Sequence, residues 1–207
     1  MCSREEAENY RPITIAPSLG KMLEKVALAI LKQAPDLNEK NHAYVEKRSC
    51  LTAICAAMAD IESKKHEKCP EGCVRVLALS LDDASSAFEC IPHRAIEYWC
   101  QESLNCQEIP MDKFVASYLA RTSFALNEHG EPAVEIKKRY VKRTSPQGSI
   151  LSPFFWRIFD MIFSEIFREF LDVAVEEIPE LESYSDENFA DDKYTGQNLI
   201  IRDCFSV

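Results

Sequence analysis

One long apolar segment limits what this chain can fold into more than any other feature. Residues 154–175 are rich in aromatic and aliphatic side chains, but charges interrupt them at Arg157, Asp160, Glu165, Arg168, Glu169 and Asp172. A membrane span does not accommodate so many charges, so the segment predicts a buried helix of a globular core. Ser152 and Pro153 precede it, and a capping hydroxyl followed by proline at the first helical position is typical of a helix start. We expect its aromatic residues to lie in the core.

The sequence of the remaining chain indicates helices mixed with short strands. Helical spacing of apolar residues predicts helices over residues 18–33, 49–62, 93–103 and 111–120, the first of them capped by Ser18 and ended by Pro35. The dense β-branched run 74–82 follows a turn and predicts a buried strand. Segments 123–126 and 133–140 flank a glycine-containing turn, which indicates a hairpin. Residues 176–188 are acidic and irregular.

Length and composition favour a compact protein inside the cell. The chain has 207 residues, 46% of them hydrophobic, which suits one domain or one domain with a subdomain. Its polar N-terminal residues do not resemble a signal peptide, so we expect a protein that is not secreted, with the nucleus as one possible compartment. Nine cysteines at irregular spacing favour reduced thiols. His66, Cys69 and Cys73 are a weak zinc signal, and whether they bind metal stays open.

The charge balance argues against a protein that binds nucleic acid by itself. The formal net charge is −10, whereas most duplex-binding proteins are basic because much of their affinity comes from phosphate contacts. An acidic total is still compatible with an enzyme core whose metal centre needs carboxylates. The basic run 137–143 is an exception, and it fits a phosphate contact and a solvated strand equally well.

Three carboxylates are the candidate metal ligands. Asp191 and Asp192 are adjacent, and Asp83 lies far upstream at the end of the predicted strand. A tight hairpin around the acidic pair would carry it at its tip. If Asp83 lay beside that tip, the three could hold Mg²⁺ against a nucleotide triphosphate. Taken singly, however, a surface Asp pair or a turn-forming Asp at a strand end explains each of them.

Five motifs in the same order resemble those of reverse transcriptases from non-LTR (LINE-type) retrotransposons. They are residues 8–13 (ENYRPI) and 41–49 (NHAYVEKRS), similar to two fingers motifs; residues 83–93 (DASSAFECIPH), similar to a palm motif; residues 146–153 (PQGSILSP), the most specific match; and residues 189–192 (FADD). Together they cover nearly the whole chain.

The resemblance implies a role for each matching residue. Asp83, rather than Asp82, and the pair Asp191 and Asp192 would be the catalytic residues and the ligands of two Mg²⁺ ions, with Mn²⁺ possible. Phe88 would exclude a ribose 2′-hydroxyl, although an ordinary core Phe is the alternative. The further nucleotide-binding or template-binding candidates are Gln147, Gly148, Arg11 and Arg48. For the two arginines, surface ion pairs are equally plausible.

The implied fold class is α+β: the fingers and palm of a right-hand polymerase, with a small antiparallel sheet backed by helices. Residues 1–73 would be mainly fingers and 74–207 mainly palm, with a possible return to the fingers near 121–143. The implied function is an RNA-directed DNA polymerase that transfers dNTPs onto a DNA primer along an RNA template. We expect the thumb and any endonuclease domain to belong to a longer polyprotein, and we expect no membrane partner.

Departures from the family pattern leave other functions open. Val45 stands where the family usually has Arg, Ala43 and Thr144 replace usual glycines, and Glu89 replaces Asp. A catalytically inactive module that binds RNA or protein is therefore the first alternative. An RNA-directed RNA polymerase is the second, and a fragment that does not fold stably is the third.

Overall fold

The computed structural model of the chain describes residues 13–34, 37, 40–71, 73–83, 87–104, 111–120, 123–126, 129–136, 145–189 and 192–202, some of them, including Asp192, by backbone alone. Its elements are α1 (Ser18–Leu31), α2 (Cys50–Lys65), β1 (Cys73–Asp83), α3 (Ala87–Cys90), α4 (His93–Leu104), α5 (Met111–Leu119), β2 (Ser123–Leu126), β3 (Pro132–Ile136), α6 (Ser152–Glu177), β4 (Leu181–Phe189) and β5 (Asp192–Arg202). The prediction of helices with a small antiparallel sheet is confirmed. Among the helices of these residues, none has the length and apolar character that crossing a membrane requires.

The chain divides into two compact units, and the boundary falls within α6. One unit combines residues 1–36 with 86–159, so it contains α1, α3, α4, α5, the β2–β3 hairpin and the start of α6. The other combines residues 37–85 with 160–207, so it contains α2, the three strands β1, β4 and β5, and the remainder of α6. We call them the helical unit and the sheet unit.

The sheet unit is built on an antiparallel sheet with strand order β1-β5-β4. Hydrophobic, β-branched sequence explains why residues 73–83 are extended. The prediction that this strand is buried is wrong, because its side chains alternate largely between half-buried and exposed, and Leu81 is 83% exposed. The segment 176–188, which looked irregular, contains most of β4. Its acidic and polar residues disfavour a strand locally, so its pairing with β5 imposes the extended conformation.

Helix α6 is a core helix only in its first half. Phe154, Phe155 and Trp156 are each at most 5% exposed, and the Phe154 ring lies 5.7 Å from that of Trp99 in an edge-on contact. Further along, Phe163 is 46% exposed and Phe170 is 68% exposed. The expectation of a buried aromatic stripe is therefore confirmed at the start of the helix and wrong towards its end.

Helix α1 buries only part of its predicted apolar face. Its buried residues are Glu24, Ala27 and Leu31, at helical spacing, whereas Leu19 and Met22 are more than half exposed. The helix begins at Ser18 with Pro17 as its N-cap, so the prediction that Ser18 caps it is wrong. Pro35 lies outside the described residues. The core of the helical unit thus receives a carboxylate from α1, which has consequences for the candidate site.

Candidate active site

The sheet register brings the first predicted carboxylate to the end of the hairpin. β1 and β5 are antiparallel, and Asp83 is the partner of Asp192 in their register, while Asp82 is the partner of Lys193. Cα atoms of such partners are about 4.5–5.5 Å apart in antiparallel sheets. Phe189 is the partner of Asp192 on the other side, so Ala190 and Asp191 alone connect β4 to β5. Two distant acidic segments therefore meet at one end of the sheet.

The remaining predicted ligands lie partly outside what the structure describes. Asp191 is outside the described residues, and Asp192 is described by its backbone alone, whereas the Asp83 side chain is exposed. Within the described part of the chain, no three His, Cys, Asp or Glu side chains form a group that could hold a metal ion. The residues of the weak zinc signal make other contacts. The His66 ring bonds to Glu62, and the Cys69 thiol donates to the Cys73 carbonyl oxygen at 3.3 Å.

The turn that precedes α6 is held by its own backbone and hydroxyl groups. The Ser149 amide donates to the Pro146 carbonyl oxygen at 3.0 Å, and the Ser152 hydroxyl donates to the same oxygen at 2.7 Å. The Ser145 hydroxyl in turn donates to the Ser152 hydroxyl at 2.6 Å. The predicted helix start is confirmed to within one residue, since α6 begins at Ser152 rather than at Pro153, but the Ser152 hydroxyl donates to the preceding turn.

Gly148 has a conformation and surroundings that only glycine accommodates. Its φ is +96°, and a Cβ atom added there would lie 2.9 Å from the Thr14 carbonyl oxygen. The neighbouring Gln147 carbonyl oxygen accepts a hydrogen bond from the Thr14 amide at 2.7 Å. The segment 13–17 and the turn are therefore in backbone contact, and the glycine of the motif permits that contact.

A buried carboxylate that the sequence analysis did not identify supports this turn. Glu24 of α1 is 1% exposed, and its two oxygens accept from the Tyr118 hydroxyl at 2.7 Å and from the Ile150 amide at 2.8 Å. The Tyr118 hydroxyl also contacts the Ser149 hydroxyl. Glu24 thereby links α1 and α5 to the turn. A polar residue at the same helical spacing as Ala27 and Leu31 was the available signal, but it is a weak one.

Phe88 lies next to the same turn, within the helical unit. Its carbonyl oxygen accepts from the Ser145 amide at 2.6 Å, and its ring centroid lies 6.0 Å from that of Trp156. The side chain is half-buried, so part of it packs on α6 and part remains accessible. Phe88, Gln147 and Gly148, three of the predicted nucleotide-binding residues, are thus close neighbours along one bonded segment.

Arg48, a predicted contact of the nucleotide or the template, lies in a loop of the sheet unit that polar contacts hold in place. Its guanidinium donates to the Asn41 carbonyl oxygen at 2.9 Å. The Asn41 side chain is fully buried, where it donates to Asp160 at 2.7 Å and accepts from the Ala43 amide at 2.8 Å. Arg48 therefore has a structural contact in the loop, and its predicted contact with template or triphosphate stays a prediction. Arg11 lies outside the described residues.

A second buried carboxylate, Asp186 of β4, was also missed by the sequence analysis. Its side chain is 0% exposed and has three cationic neighbours: Lys40 Nζ at 2.9 Å, Arg168 Nη2 at 3.2 Å and Lys193 Nζ at 3.7 Å. Burial alone would raise the pKa of Asp186, but hydrogen bonds and charge from Lys40 and Arg168 outweigh it and hold that pKa below its ordinary value. The carboxylate therefore stays ionised at neutral pH.

Lys193, the residue after the acidic pair, is buried against aromatic rings. Its ammonium lies 4.5 Å from the centroid of the Phe167 ring and 5.4 Å from that of Phe163, and it donates to the Ser164 hydroxyl at 3.3 Å. Burial lowers the pKa of Lys193, and the nearby charges of Asp186 and Asp160 oppose that shift. No local sequence signal predicts this site, because its members come from four separate segments.

Comparison with known proteins identifies the family to which these motifs belong. Residues 3–194 match the family model described as reverse transcriptase (RNA-dependent DNA polymerase). The chain is also 23% identical over 164 residues to the retrovirus-related Pol polyprotein from type-1 retrotransposable element R2 of Popillia japonica. That alignment covers 78% of this chain but only 21% of the relative, so this chain corresponds to a small part of that polyprotein. The predicted reverse transcriptase domain of non-LTR retrotransposons is thus confirmed, and the chain belongs to the reverse transcriptase family.

Proposed function

We propose that this chain is the fingers and palm core of an RNA-directed DNA polymerase that extends a DNA primer along an RNA template. The observation that carries the proposal is the sheet register, in which Asp83 is the partner of Asp192 at the end of the β4–β5 hairpin. In this proposal residues 1–73 are mainly fingers and 74–207 mainly palm, with a return to the fingers near 121–143. A larger polyprotein supplies the thumb and other domains.

The acidic end of the sheet has the ligand chemistry that Mg²⁺ prefers. Mg²⁺ binds through one or two carboxylates together with substrate phosphates and water, and Asp83 presents an exposed carboxylate at the end of a hydrogen-bonded strand. In the proposal Asp83, Asp191 and Asp192 hold two ions. When bound, such ions activate the attacking hydroxyl and stabilise the leaving pyrophosphate.

The helical unit supplies the proposed nucleotide contacts. The half-buried Phe88 ring, supported by Trp156, limits the space at the sugar and so favours deoxynucleotides. Gln147 and Gly148, in the turn before α6, contact the incoming nucleotide, and the packing of Gly148 against the Thr14 carbonyl fixes the shape of that turn. Arg11, together with Arg48 of the sheet unit, contributes charge toward the template or the triphosphate. Each of these roles orients the substrate, and none of them adds a covalent step.

Primer extension tests the proposal. With poly(rA)·oligo(dT), dTTP and Mg²⁺, we expect incorporation by the full chain and a loss of about 100-fold or more in Asp83→Asn, Asp191→Asn and Asp192→Asn, because catalysis depends on the ligated ions. The matched control is Asp82→Asn, next to Asp83 and equally exposed, but paired with Lys193 in the sheet register. This variant is expected to retain activity.

Two outcomes would contradict the proposal. Incorporation that persists in all three aspartate variants would remove the carboxylates from the reaction. A folded chain that binds RNA but extends no primer, with either Mg²⁺ or Mn²⁺, would instead support the inactive binding module. Phe88→Ala sharpens the assignment, since an increase in ribonucleotide incorporation is expected if the ring excludes the 2′-hydroxyl.

A further inference from the structure

Asp186 connects three separate segments of the sheet unit. Its side chain has no exposed surface, and its cationic neighbours come from the loop before α2 (Lys40), from α6 (Arg168) and from β5 (Lys193). Lys40 is 42% exposed and Arg168 is 31% exposed, but Lys193 is only 11% exposed. Lys193 is therefore the cation that depends most on Asp186, because water cannot replace the carboxylate there.

The Lys193 ammonium contacts three side chains of α6. Its ammonium lies against the rings of Phe163 and Phe167 and bonds to the Ser164 hydroxyl. A cation over an aromatic face is attracted by the negative face of the ring, and the attraction is stronger when the cation is desolvated. The side chain immediately following Asp192 is thus fixed to a helix of the same unit, whereas only two residues connect β4 to β5 at the hairpin end.

We propose that Asp186 and Lys193 are positioning residues that anchor the β4–β5 hairpin to α6 and thereby fix the location of the Asp191–Asp192 pair relative to Asp83. The effect on metal binding rests on the proposed function, whereas the anchoring itself does not. Without the anchor, the register between β1 and β5 still forms along most of its length. Its last pairs, Asp82 with Lys193 and Asp83 with Asp192, would then open more often, since strand ends have low local stability.

Amide hydrogen exchange tests the anchor directly. We expect residues 187–195 to exchange about 10-fold faster in Asp186→Asn and in Lys193→Met, while α2 (Cys50–Lys65) of the same unit keeps its wild-type rate. Lys193→Arg keeps the positive charge and the contact with the rings, so it should restore most of the protection. The control is Lys65→Met, the same change at an ammonium whose side chain is 61% exposed.

A double variant tests whether Asp186 and Lys193 act through one shared interaction or stabilise the hairpin independently. If Asp186 and Lys193 act together, Asp186→Asn combined with Lys193→Met should exchange no faster than the faster single variant. Exchange that stays at the wild-type rate in folded Lys193→Met would overturn the proposal. So would acceleration spread evenly over α2 and the hairpin, because that pattern indicates general destabilisation. Lys193→Met keeps the test valid even if Asp186→Asn does not fold.

Titration with Mn²⁺, followed by electron paramagnetic resonance, tests the consequence for the metal site. We expect affinity to fall about 10-fold in Lys193→Met, the size typical of residues that orient metal ligands. Mn²⁺ binding that is lost in Asp192→Asn is the binding that belongs to the proposed metal site. A wild-type chain with no site-specific Mn²⁺ binding and no primer extension would count against the proposed function alone, and hairpin exchange would still decide the anchor. Wild-type Mn²⁺ affinity in Lys193→Met would overturn the link from anchor to site.

Discussion

The turn before α6 and the β4–β5 hairpin are supported by opposite kinds of interaction, although each depends on a buried carboxylate. In the turn, Glu24 accepts from a tyrosine hydroxyl and a backbone amide, and the other bonds join hydroxyls and carbonyls of nearby residues. In the hairpin, Asp186 faces three cations. The turn is therefore defined by hydrogen-bond geometry, and the hairpin by charge.

This difference has a consequence for what each segment tolerates. Hydrogen bonds between neutral groups, such as those among the serine hydroxyls and the Pro146 carbonyl of the turn, contribute about 0.5–1.5 kcal/mol each, and they depend little on salt. Removing one partner from a buried ionic cluster costs more, because the remaining charges are left without compensation. We therefore expect the hairpin to be sensitive to changes of charge and to pH, and the turn to be sensitive to changes of shape.

The largest effect on stability is expected at the hairpin. Asp186→Asn keeps the side-chain shape but removes the charge that faces Lys40, Arg168 and Lys193, and we expect a loss of about 3 kcal/mol in the free energy of unfolding. Denaturant titration followed by circular dichroism measures it. The comparison is Asp172→Asn on α6, whose exposed carboxylate accepts from the hydroxyl of the half-buried Tyr184. A loss no larger than at Asp172 would show that the cluster is not a source of stability.

The turn should be disrupted by a single methyl group. In Gly148→Ala the new Cβ would lie 2.9 Å from a backbone oxygen at a φ of +96°, so strain and collision add, and we expect a loss of about 2–3 kcal/mol. Gly130→Ala is the matched control, because its φ is +77° but nothing lies within 4 Å of the added atom. We expect about 1 kcal/mol there. Equal losses in the two variants would mean that Thr14 moves without cost.

Sequence predicted the turn better than the hairpin for a physical reason. The residues of the turn favour their conformations locally. Pro146 has a fixed φ, Gly148 accommodates a positive φ, and Ser152 has a hydroxyl within reach of the preceding turn. The helices α2, α4 and α5 were predicted for similar local reasons. The strand β4 was not, because its residues favour a strand only through the partners that β5 and α6 provide.

The sequence indicated the candidate metal ligands, whose role stays a prediction, but it did not indicate the two buried carboxylates Glu24 and Asp186. Order and spacing indicated Asp83 and the acidic pair, because the family pattern marks them. The Glu24 partners and the Asp186 partner Lys40 lie 94 to 146 residues away along the chain, and a single sequence does not show such proximity in space. In α1 the apolar pattern included the buried Ala27 and Leu31 but not Glu24, because a buried carboxylate with good hydrogen-bond partners can replace an apolar residue there.

The Glu24 contact should have a smaller effect than either change above. In Glu24→Gln one oxygen becomes an NH₂ group, which cannot accept from the Tyr118 hydroxyl or the Ile150 amide, so one donor is left unsatisfied. We expect a loss of about 1–2 kcal/mol. Glu62→Gln, whose side chain is 60% exposed in a surface pair, should leave the free energy of unfolding close to that of the wild type. If the two variants lose the same free energy, the buried position of Glu24 has no energetic importance.

The smallest predicted effect is a difference between the hairpin and the turn in how their contribution to stability depends on pH. Since the folded pKa of Asp186 lies below its ordinary value of about 4, the stability that this group contributes is fully present above pH 4 and is lost as pH falls through the folded pKa. Unfolding free energies of the wild type and of Asp186→Asn should therefore converge by a fraction of their difference between about pH 5 and 3. In Gly148→Ala the difference from wild type should stay constant over that range, because no ionisable group is changed. Parallel acid profiles for the wild type and Asp186→Asn would show that the three cations do not stabilise the ionised carboxylate, and the contrast between charge and shape would then fail.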